Sequence, residues 1–203
     1  MKENQYVRQA EQWSATQYAD SAAYLSHRAR LIAELGCPLT PGDTVLDLAC
    51  GDGGLAPHLK RRGLRYLGVD STPAMVAEAR RNGIEAEFGD LNDYVPSKPT
   101  PATTCFRAIY YTVDRAAFFR HIAAYTSKKL VFDLNPRQYD PKLVLAELRD
   151  AGFGEIVLRP FFVPQRRALP APFGKALVTL ERAGPLARLA LRYRFTYVVA
   201  AMR

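Results

Sequence analysis

The stretch VLDLACGDGG (residues 45–54) decides the fold, because an apolar run changes there into a glycine-rich segment. The β-rich run TVLDLA (44–49) predicts a buried strand, and GLAPHLKRRG (54–63) predicts a helix soon after it. Glycines between the two let the backbone turn sharply and approach a ligand closely. The sequence therefore predicts a strand, a tight ligand-facing turn and a helix in succession.

The same alternation of strand and helix continues along the chain. Further strands are predicted over residues 65–70, 84–91, 104–109, 129–134 and 155–162. Further helices are predicted over residues 72–83, from Asp114 onward, and over residues 141–152. Between the third and fourth strands, residues 92–102 contain three prolines and are predicted to form a loop. Consecutive βαβ units imply a parallel sheet with right-handed crossovers.

The two ends of the chain depart from this alternation. Residues 5–35 predict one or two helices with aromatic side chains such as Tyr6, Trp13 and Tyr18. A loop rich in Pro, Arg and Ala and an apolar helical stretch then break the pattern over residues 163–191. We therefore divide a single domain into a helical cap (1–38), a core (40–162), a substrate-specificity insertion (163–191) and a last strand (192–203).

Composition favours one compact domain in a reducing compartment. With 203 residues, 48% of them hydrophobic, the chain can bury a core without disulfides or a structural metal. Its three cysteines, Cys37, Cys50 and Cys105, form no CxxC pair. No apolar run approaches the roughly 20 residues that span a bilayer. We therefore expect a cytoplasmic protein without a transmembrane segment.

The net charge of +8 is concentrated in the last quarter of the chain. Residues 159–203 contain nine basic residues against one acidic residue, Glu181, whereas residues 1–158 contain 19 of each sign. Such a region could attract an anionic substrate, a nucleic acid or a lipid surface, and it could equally be a solvated face. The charge alone does not choose among these partners.

The glycine turn also fits a dinucleotide-binding pattern. Gly51, Gly53 and Ala56 satisfy G-x-G-x-x-G/A, and Asp70 follows Gly51 by 19 residues, at the end of the second strand. An acid at that place can accept hydrogen bonds from ribose hydroxyls. This pattern keeps an NAD(P)-dependent oxidoreductase open as one reading.

The wider motif resembles motif I of the class I, Rossmann-like S-adenosylmethionine-dependent methyltransferases. Residues 47–53 read D-L-A-C-G-D-G, the D-x-A-C-G-x-G form of that motif. Asp70 in LGVDST resembles the family's ribose-binding acid, and Asp90 in FGDL resembles the residue that receives the adenine amino group. The stretch CFRAIYYTVD (105–114) resembles the fourth strand and its substrate-facing edge. The resemblance covers about residues 40–160.

The resemblance implies a fold, a cofactor and a set of site residues. The fold is a doubly wound, seven-stranded, mostly parallel sheet with an antiparallel last strand, an N-terminal helical lid and a helical insertion before the last strand. The cofactor is S-adenosyl-L-methionine. The cofactor-binding residues are Asp47, Ala49, Cys50, Gly51, Gly53, Asp70, Ser71, Asp90, Leu91 and Phe106.

The candidate catalytic residues follow the fourth and fifth predicted strands. Tyr110 could act as a base or an orienting hydroxyl, with Tyr111 beside it, and Arg107 or Arg137 could hold a carboxylate or phosphate. Adjacent tyrosines after a strand are also common packing residues. None of the three histidines lies at metal-ligand spacing from another, so we expect no metal site.

The sequence leaves the methyl acceptor open between two classes. It has no NPPY or DPPY segment after the fourth strand, where enzymes that methylate nucleic-acid bases carry one. We therefore favour an oxygen or nitrogen of a small molecule, anionic or lipid-like, with peripheral membrane contact as one possibility for the insertion. The alternative is an RNA or protein methyltransferase that uses the basic C-terminal region.

Overall fold

The computed structural model describes residues 10, 13–182, 184, 187 and 196–203. Within them seven strands form one sheet: β1 Thr44–Leu48, β2 Arg65–Asp70, β3 Ala86–Phe88, β4 Thr100–Cys105, β5 Thr126–Leu134, β6 Ile156–Phe161 and β7 Thr196–Met202. The helices of these residues are α1 Trp13–Gln17, α2 Ser21–Glu34, α3 Ala56–Lys60, α4 Pro73–Arg81, α5 Arg115–Tyr125, α6 Pro141–Asp150 and α7 Ala171–Leu180.

The order of the strands across the sheet is β3-β2-β1-β4-β5-β7-β6. Strands β1 to β5 pair in parallel, and β7 inserts antiparallel between β5 and β6. The predicted fold class, with its antiparallel last strand, is therefore confirmed. Because the strand order reverses between β1 and β4, ligands are expected in the crevice beyond the carboxyl ends of these two strands.

Helices cover both faces of the sheet, as in other doubly wound folds. On one face α2, α3 and α4 bury Ile32, Leu59 and Ala79 against the sheet. On the other face α5 and α6 bury Phe119 and Leu148. Successive residues of a strand point to opposite faces, so that β1, for example, contributes Val45 to one core and Leu46 to the other.

The fourth strand begins and ends earlier than residues 104–109, where the sequence predicts it. It spans Thr100–Cys105 and so includes Pro101, which the sequence predicts to lie in a loop. The pairing with β5 shifts register between Thr100 and Ala102, which is the kind of irregularity where a sheet tolerates proline. The strand ends at Cys105 because Arg107 takes a φ of 55° and a 3-10 turn follows at Ile109–Tyr111.

The ends of the chain are described in part. Two helices, α1 and α2, lie within the predicted cap, whereas Tyr6 falls outside the described residues. Helix α7 provides the helical stretch predicted for the insertion, and residues 183, 185–186 and 188–195 lie outside the described residues. None of the described helices is long and apolar enough to cross a membrane.

Candidate active site

A cleft of about 450 Å³ opens at the carboxyl ends of β1, β2 and β4. Its floor is the turn that follows β1, including Ala49, Cys50 and Gly51. Side chains of α1 and α2, among them Trp13 and Arg28, complete the wall on the side of the helical cap. The cleft therefore lies at the strand-order reversal, where an open α/β sheet binds its ligands.

The turn after β1 depends on residues with positive φ. Ala49 has a φ of 58° and Gly51 a φ of 60°, a region that side chains with a Cβ adopt at a steric cost. A Cβ added to Gly51 would lie 2.9 Å from Cδ1 of Trp13. The absence of a Cβ at Gly51 therefore allows the Trp13 side chain to pack directly against the backbone of the turn.

Gly53, also predicted to bind the cofactor, lies in the same turn but is not among the residues that line the cleft. Its φ is 75°, and a Cβ there would lie 3.0 Å from Cγ2 of Ile84. The structure thus gives Gly53 a packing role against the start of the third βα unit. Gly54, which was not predicted, lines the cleft instead.

Asp70 ties the glycine turn to the start of α4. Its Oδ2 accepts a hydrogen bond from the Gly51 amide at 2.9 Å, and its Oδ1 accepts one from the Thr72 amide at 2.9 Å. Burial raises the pKa of Asp70, and the two amides partly oppose that rise. Because each carboxylate oxygen can accept a second hydrogen bond, Asp70 retains capacity for a ligand in the cleft.

Asp47 is the buried carboxylate on β1. Its Oδ2 accepts a hydrogen bond from the Tyr66 hydroxyl at 2.8 Å, and its Oδ1 accepts one from the Thr104 hydroxyl at 2.6 Å. Burial raises the pKa of Asp47 to about 6, although these two hydroxyls and the nearby charge of Arg28 favour ionisation. Asp47 therefore places a strongly desolvated carboxylate in the wall of the cleft.

Arg28 is a cleft residue that the sequence analysis missed. Its side chain is 95% covered, with the guanidinium 4.2 Å from the ring centre of Phe106 and 4.8 Å from that of Tyr24. Nη2 donates to the Tyr24 hydroxyl at 3.0 Å, while Nε has no hydrogen-bond partner in the described part of the chain. A buried guanidinium with an unused donor in a cleft is suited to an anionic group.

A signal for Arg28 is present in the sequence. Tyr24, Arg28 and Leu31 are spaced i, i+4 and i+7, so they share one face of α2, and all three are buried. An arginine within an otherwise apolar helical stripe indicates a buried charge that needs a partner. Because α2 precedes the glycine-rich motif, the motif residues alone do not point to Arg28.

Asp90, Ser71 and Leu91, which the sequence predicts to contact the cofactor, follow β3 and β2 and line the cleft. Asp90 is exposed, and its Oδ1 accepts hydrogen bonds from the amide and the side chain of Asn92 at 2.8 and 2.7 Å. Leu91 is buried beside it. This edge of the cleft therefore combines a carboxylate with an apolar wall.

Three of the four predicted catalytic residues line the cleft. Arg107, Tyr110 and Tyr111 do so, and the rings of the two tyrosines lie 4.4 Å apart. The Arg107 amide donates to Asp133 Oδ1 at 2.6 Å, and its guanidinium lies 3.4 Å from Gln17 Oε1. Arg137 is exposed in the loop after β5 and is not among the lining residues.

The helical cap is attached directly to the glycine turn. The Ser14 amide donates to Asp52 Oδ2 at 2.8 Å, and the Ser14 hydroxyl also donates to the Asp52 carboxylate. These contacts place Trp13 over the cleft next to Gly51. Within the described residues, no group of three or more His, Cys, Asp or Glu side chains could hold a metal ion.

Comparison with known proteins agrees with this geometry. Residues 45–129 match the family described as a methyltransferase domain. Trans-aconitate 2-methyltransferase from Mycobacterium tuberculosis (strain ATCC 25177 / H37Ra) is 35% identical over 100 residues, which cover 46% of this chain and 38% of that protein. The corresponding Escherichia coli O157:H7 enzyme is 31% identical over 117 residues, covering 55% and 46%. The matched region thus spans less than half the length of these relatives.

Solved structures show the same fold over nearly the whole chain. A TehB-like S-adenosylmethionine-dependent methyltransferase from Corynebacterium glutamicum has a TM-score of 0.65 at 16% identity, covering 98% of this chain and 99% of that one. Magnesium protoporphyrin IX methyltransferase from Synechocystis, solved with bound cofactor, has a TM-score of 0.59 at 18% identity, covering 97% and 83%. The chain therefore contains a region that matches a methyltransferase domain, and its fold is that of solved S-adenosylmethionine-dependent methyltransferases.

Proposed function

We propose that this protein binds S-adenosylmethionine in the cleft and transfers its methyl group to an oxygen or nitrogen of a small anionic molecule. The observation that carries the proposal is the combination, in one cleft, of a buried arginine with an unused donor and three carboxylates at the ends of β1, β2 and β3. These groups complement a ligand that carries a carboxylate, an ammonium group and a ribose diol.

The residues of the cleft fit the cofactor at its charged end. Arg28 offers its unpaired Nε to a carboxylate, and Asp47 offers a carboxylate to an ammonium group. The two side chains are close enough for the charge of Arg28 to lower the pKa of Asp47. A zwitterionic amino acid group would therefore find both of its charges matched in the same part of the cleft.

The residues also fit the nucleoside end. We assign the ribose hydroxyls to Asp70 and the adenine amino group to Asp90, as the family resemblance implies. Ser71 and Leu91 would flank the nucleoside. Gly51 supports this assignment, because its positive φ lets the backbone of the turn approach a ligand closely.

The bound cofactor supplies an electrophilic methyl group, so the chain has to orient an acceptor and exclude water. Good positioning can supply roughly 7–11 kcal/mol of a reaction barrier. Trp13 and Tyr18 cover the cleft from the cap, which is held to the glycine turn through Ser14 and Asp52. This cover would limit the access of solvent to the methyl group of a bound cofactor.

The cleft residues next to the fourth strand favour an anionic methyl acceptor. Arg107 lines the cleft at the end of β4, where its guanidinium can form charge-assisted hydrogen bonds with a carboxylate or phosphate. The Tyr110 hydroxyl, at the same edge, can orient the acceptor or take up its proton. The relatives named for trans-aconitate, whose name denotes a carboxylate, support an acceptor of this class.

Thermal unfolding with added ligands tests the cofactor assignment. S-adenosylhomocysteine or S-adenosylmethionine at 100 times its dissociation constant should add about 2.7 kcal/mol of stability. For a domain of this size the melting temperature should rise by roughly 5–11 °C. A rise with NAD(P)H and none with the sulfur nucleotides would overturn the proposal.

Turnover with matched acceptors tests the second half of the proposal. Formation of S-adenosylhomocysteine is measured with small di- and tricarboxylates, with phosphomonoesters and with the neutral amides of the same carboxylates. We expect turnover with members of the anionic sets and none with the amides. Turnover with RNA or protein alone would contradict a small-molecule acceptor.

A further inference from the structure

The surface between Arg166 and Arg182, here called the 166–182 segment, presents basic and apolar side chains together. Arg166, Arg167, Lys175 and Arg182 are exposed. Leu169 and Phe173 are also exposed, at 36% and 65%. Basic and apolar side chains therefore share one exposed stretch of the chain.

The one acidic residue of this segment does not offset its positive charge. Glu181 is buried, its Oε2 lies 2.7 Å from His27 Nε2, and its Oε1 accepts a hydrogen bond from the Phe162 amide at 2.8 Å. The exposed charges of the 166–182 segment are therefore all positive. Such a surface is complementary to a surface of negative charge.

The apolar side of α7 extends past the part of the helix that packs against the rest of the protein. Phe173, Leu177 and Leu180 are spaced i, i+4 and i+7, so they share one side of the helix. Leu177 and Leu180 pack with Phe162 and Ala187, whereas Phe173 at the first turns remains uncovered. The stripe is thus completed by protein at one end and is open at the other.

The 166–182 segment is connected to the cap of the cleft through its neighbour Gln165. The Ala19 amide donates to the Gln165 carbonyl at 2.9 Å, and Gln165 Nε2 donates to the Gln17 carbonyl at 3.1 Å. Gln17 in turn contacts the guanidinium of Arg107, which lines the cleft. A partner bound to the segment would therefore lie near the side of the cap that faces the acceptor.

We propose that the 166–182 segment binds the surface of an anionic lipid membrane. Leu169 and Phe173 enter the boundary between headgroups and acyl chains, and the four basic side chains contact lipid phosphates. Arginine and lysine suit this place, because their apolar stems can lie in the interface while their charges reach the headgroups. The proposal stands apart from the catalytic one, since it concerns a surface outside the cleft.

The chemistry of the exposed side chains favours lipid over nucleic acid. Proteins that hold single strands use several aromatic rings on which successive bases stack. Phe173 is the one aromatic residue of residues 166–182, and apart from Thr179 the exposed uncharged residues near it are Leu, Ala and Pro. Leu169 and Phe173, flanked by basic residues, are typical of a segment that lies at a membrane interface and not of a surface on which bases stack.

Sedimentation of the full chain with vesicles tests the proposal. Vesicles of phosphatidylcholine alone are compared with vesicles of phosphatidylcholine and phosphatidylglycerol in equal parts, at low and at high sodium chloride. We expect binding to the anionic vesicles, weakened by salt, and none to the neutral ones. Absence of binding to anionic vesicles at low salt would overturn the proposal, as would binding to single-stranded RNA without binding to vesicles.

Two double variants with matched controls separate charge from insertion. Arg166→Gln with Arg167→Gln should weaken binding about thirtyfold, from the usual contribution of basic residues near an anionic surface. Leu169→Ser with Phe173→Ser should weaken it at least about tenfold. The controls Arg120→Gln with Arg149→Gln, and Leu143→Ser, change exposed residues of α5 and α6 and should leave binding unchanged.

A spectroscopic measurement reports the inserted residue directly. Phe173→Trp is introduced together with Trp13→Phe, so that the chain contains one tryptophan. Lipids brominated near the top of the acyl chain should quench its fluorescence when anionic vesicles are added. Unquenched fluorescence on bound vesicles, or equal loss of binding in the control variants, would overturn insertion at the 166–182 segment.

Discussion

The Asp70 carboxylate accepts a hydrogen bond from the Gly51 amide, with 2.9 Å between Oδ2 and the nitrogen. This contact joins the end of β2 to the glycine turn after β1, across 19 residues of sequence. The second oxygen holds the Thr72 amide at the start of α4. The residue assigned to the ribose therefore also sets the shape of the turn on which the cofactor would lie.

Asp70→Asn should weaken cofactor binding and destabilise the fold. An amide has one acceptor oxygen, so it can satisfy only one of the two backbone amides that the carboxylate now holds. We expect affinity for S-adenosylhomocysteine to fall roughly 10- to 150-fold, equivalent to about 1.5–3 kcal/mol. Titration calorimetry measures this change. Asp150→Asn, at an exposed position, is the control and should bind normally.

Gly51→Ala should disturb the cleft beyond the backbone strain that it introduces. A left-handed conformation costs a non-glycine residue about 1–2 kcal/mol, and the new Cβ would also lie 2.9 Å from Trp13. Gly83→Ala is the matched control, because Gly83 has a φ of 70° and no atom within 4 Å of the added Cβ. Both variants should lose stability in urea unfolding, and only Gly51→Ala should lose cofactor affinity. Equal affinities would argue against the assigned position of the ligand.

Arg28→Met should weaken binding of the amino acid end of the cofactor and leave binding of its nucleoside end unchanged. Methionine retains much of the apolar contact with Phe106 and Tyr24 but removes the charge. Binding of S-adenosylhomocysteine should weaken roughly 10- to 150-fold, whereas binding of methylthioadenosine, which lacks the carboxylate, should change little. Competition measurements with both ligands check this difference. An equal loss for both would show that Arg28 acts through the structure of the cleft instead.

Asp47 should make stability depend on pH. Its pKa of about 6 lies above its ordinary value of 3.8, so between these values the folded state binds more protons than the unfolded state. Its contribution to stability therefore falls as the pH rises from about 4 to about 6, by up to about 3 kcal/mol. Asp47→Asn removes this titration, so the free energy of unfolding of the variant relative to wild type should rise across that range. Parallel curves in urea unfolding would contradict the assignment.

Arg107→Gln should reduce catalytic efficiency with an anionic acceptor. Arg107 lines the cleft, and loss of one charge-assisted hydrogen bond to substrate is worth roughly 10- to 150-fold. We expect kcat/KM to fall by this factor for the acceptor, while the dissociation constant of S-adenosylhomocysteine stays unchanged. Arg137→Gln is the comparison, because Arg137 is exposed and lies outside the cleft lining. A larger effect at Arg137 would place the acceptor on the other side of β5.

Patterns within short stretches were enough to predict much of this protein. The strand, turn and helix around Gly51 could be predicted because apolar runs and glycines act on the backbone locally. Asp70 and Asp90 could be placed in the cleft because the carboxyl ends of parallel strands meet at one edge of a sheet. The closing antiparallel strand followed from the family resemblance.

Tertiary structure alone decided which charged side chains meet. Arg28, which precedes the motif, lies in the cleft, whereas Arg137, which follows a strand as Arg107 does, does not. Lys129, directly before the apolar run of β5, is fully buried and donates to the Leu35 carbonyl at 2.9 Å. Such contacts join residues that are far apart in sequence, so they depend on how helices pack against the sheet. Local sequence patterns specify the elements, and the packing of those elements specifies the distances, burial and pKa values that make a site.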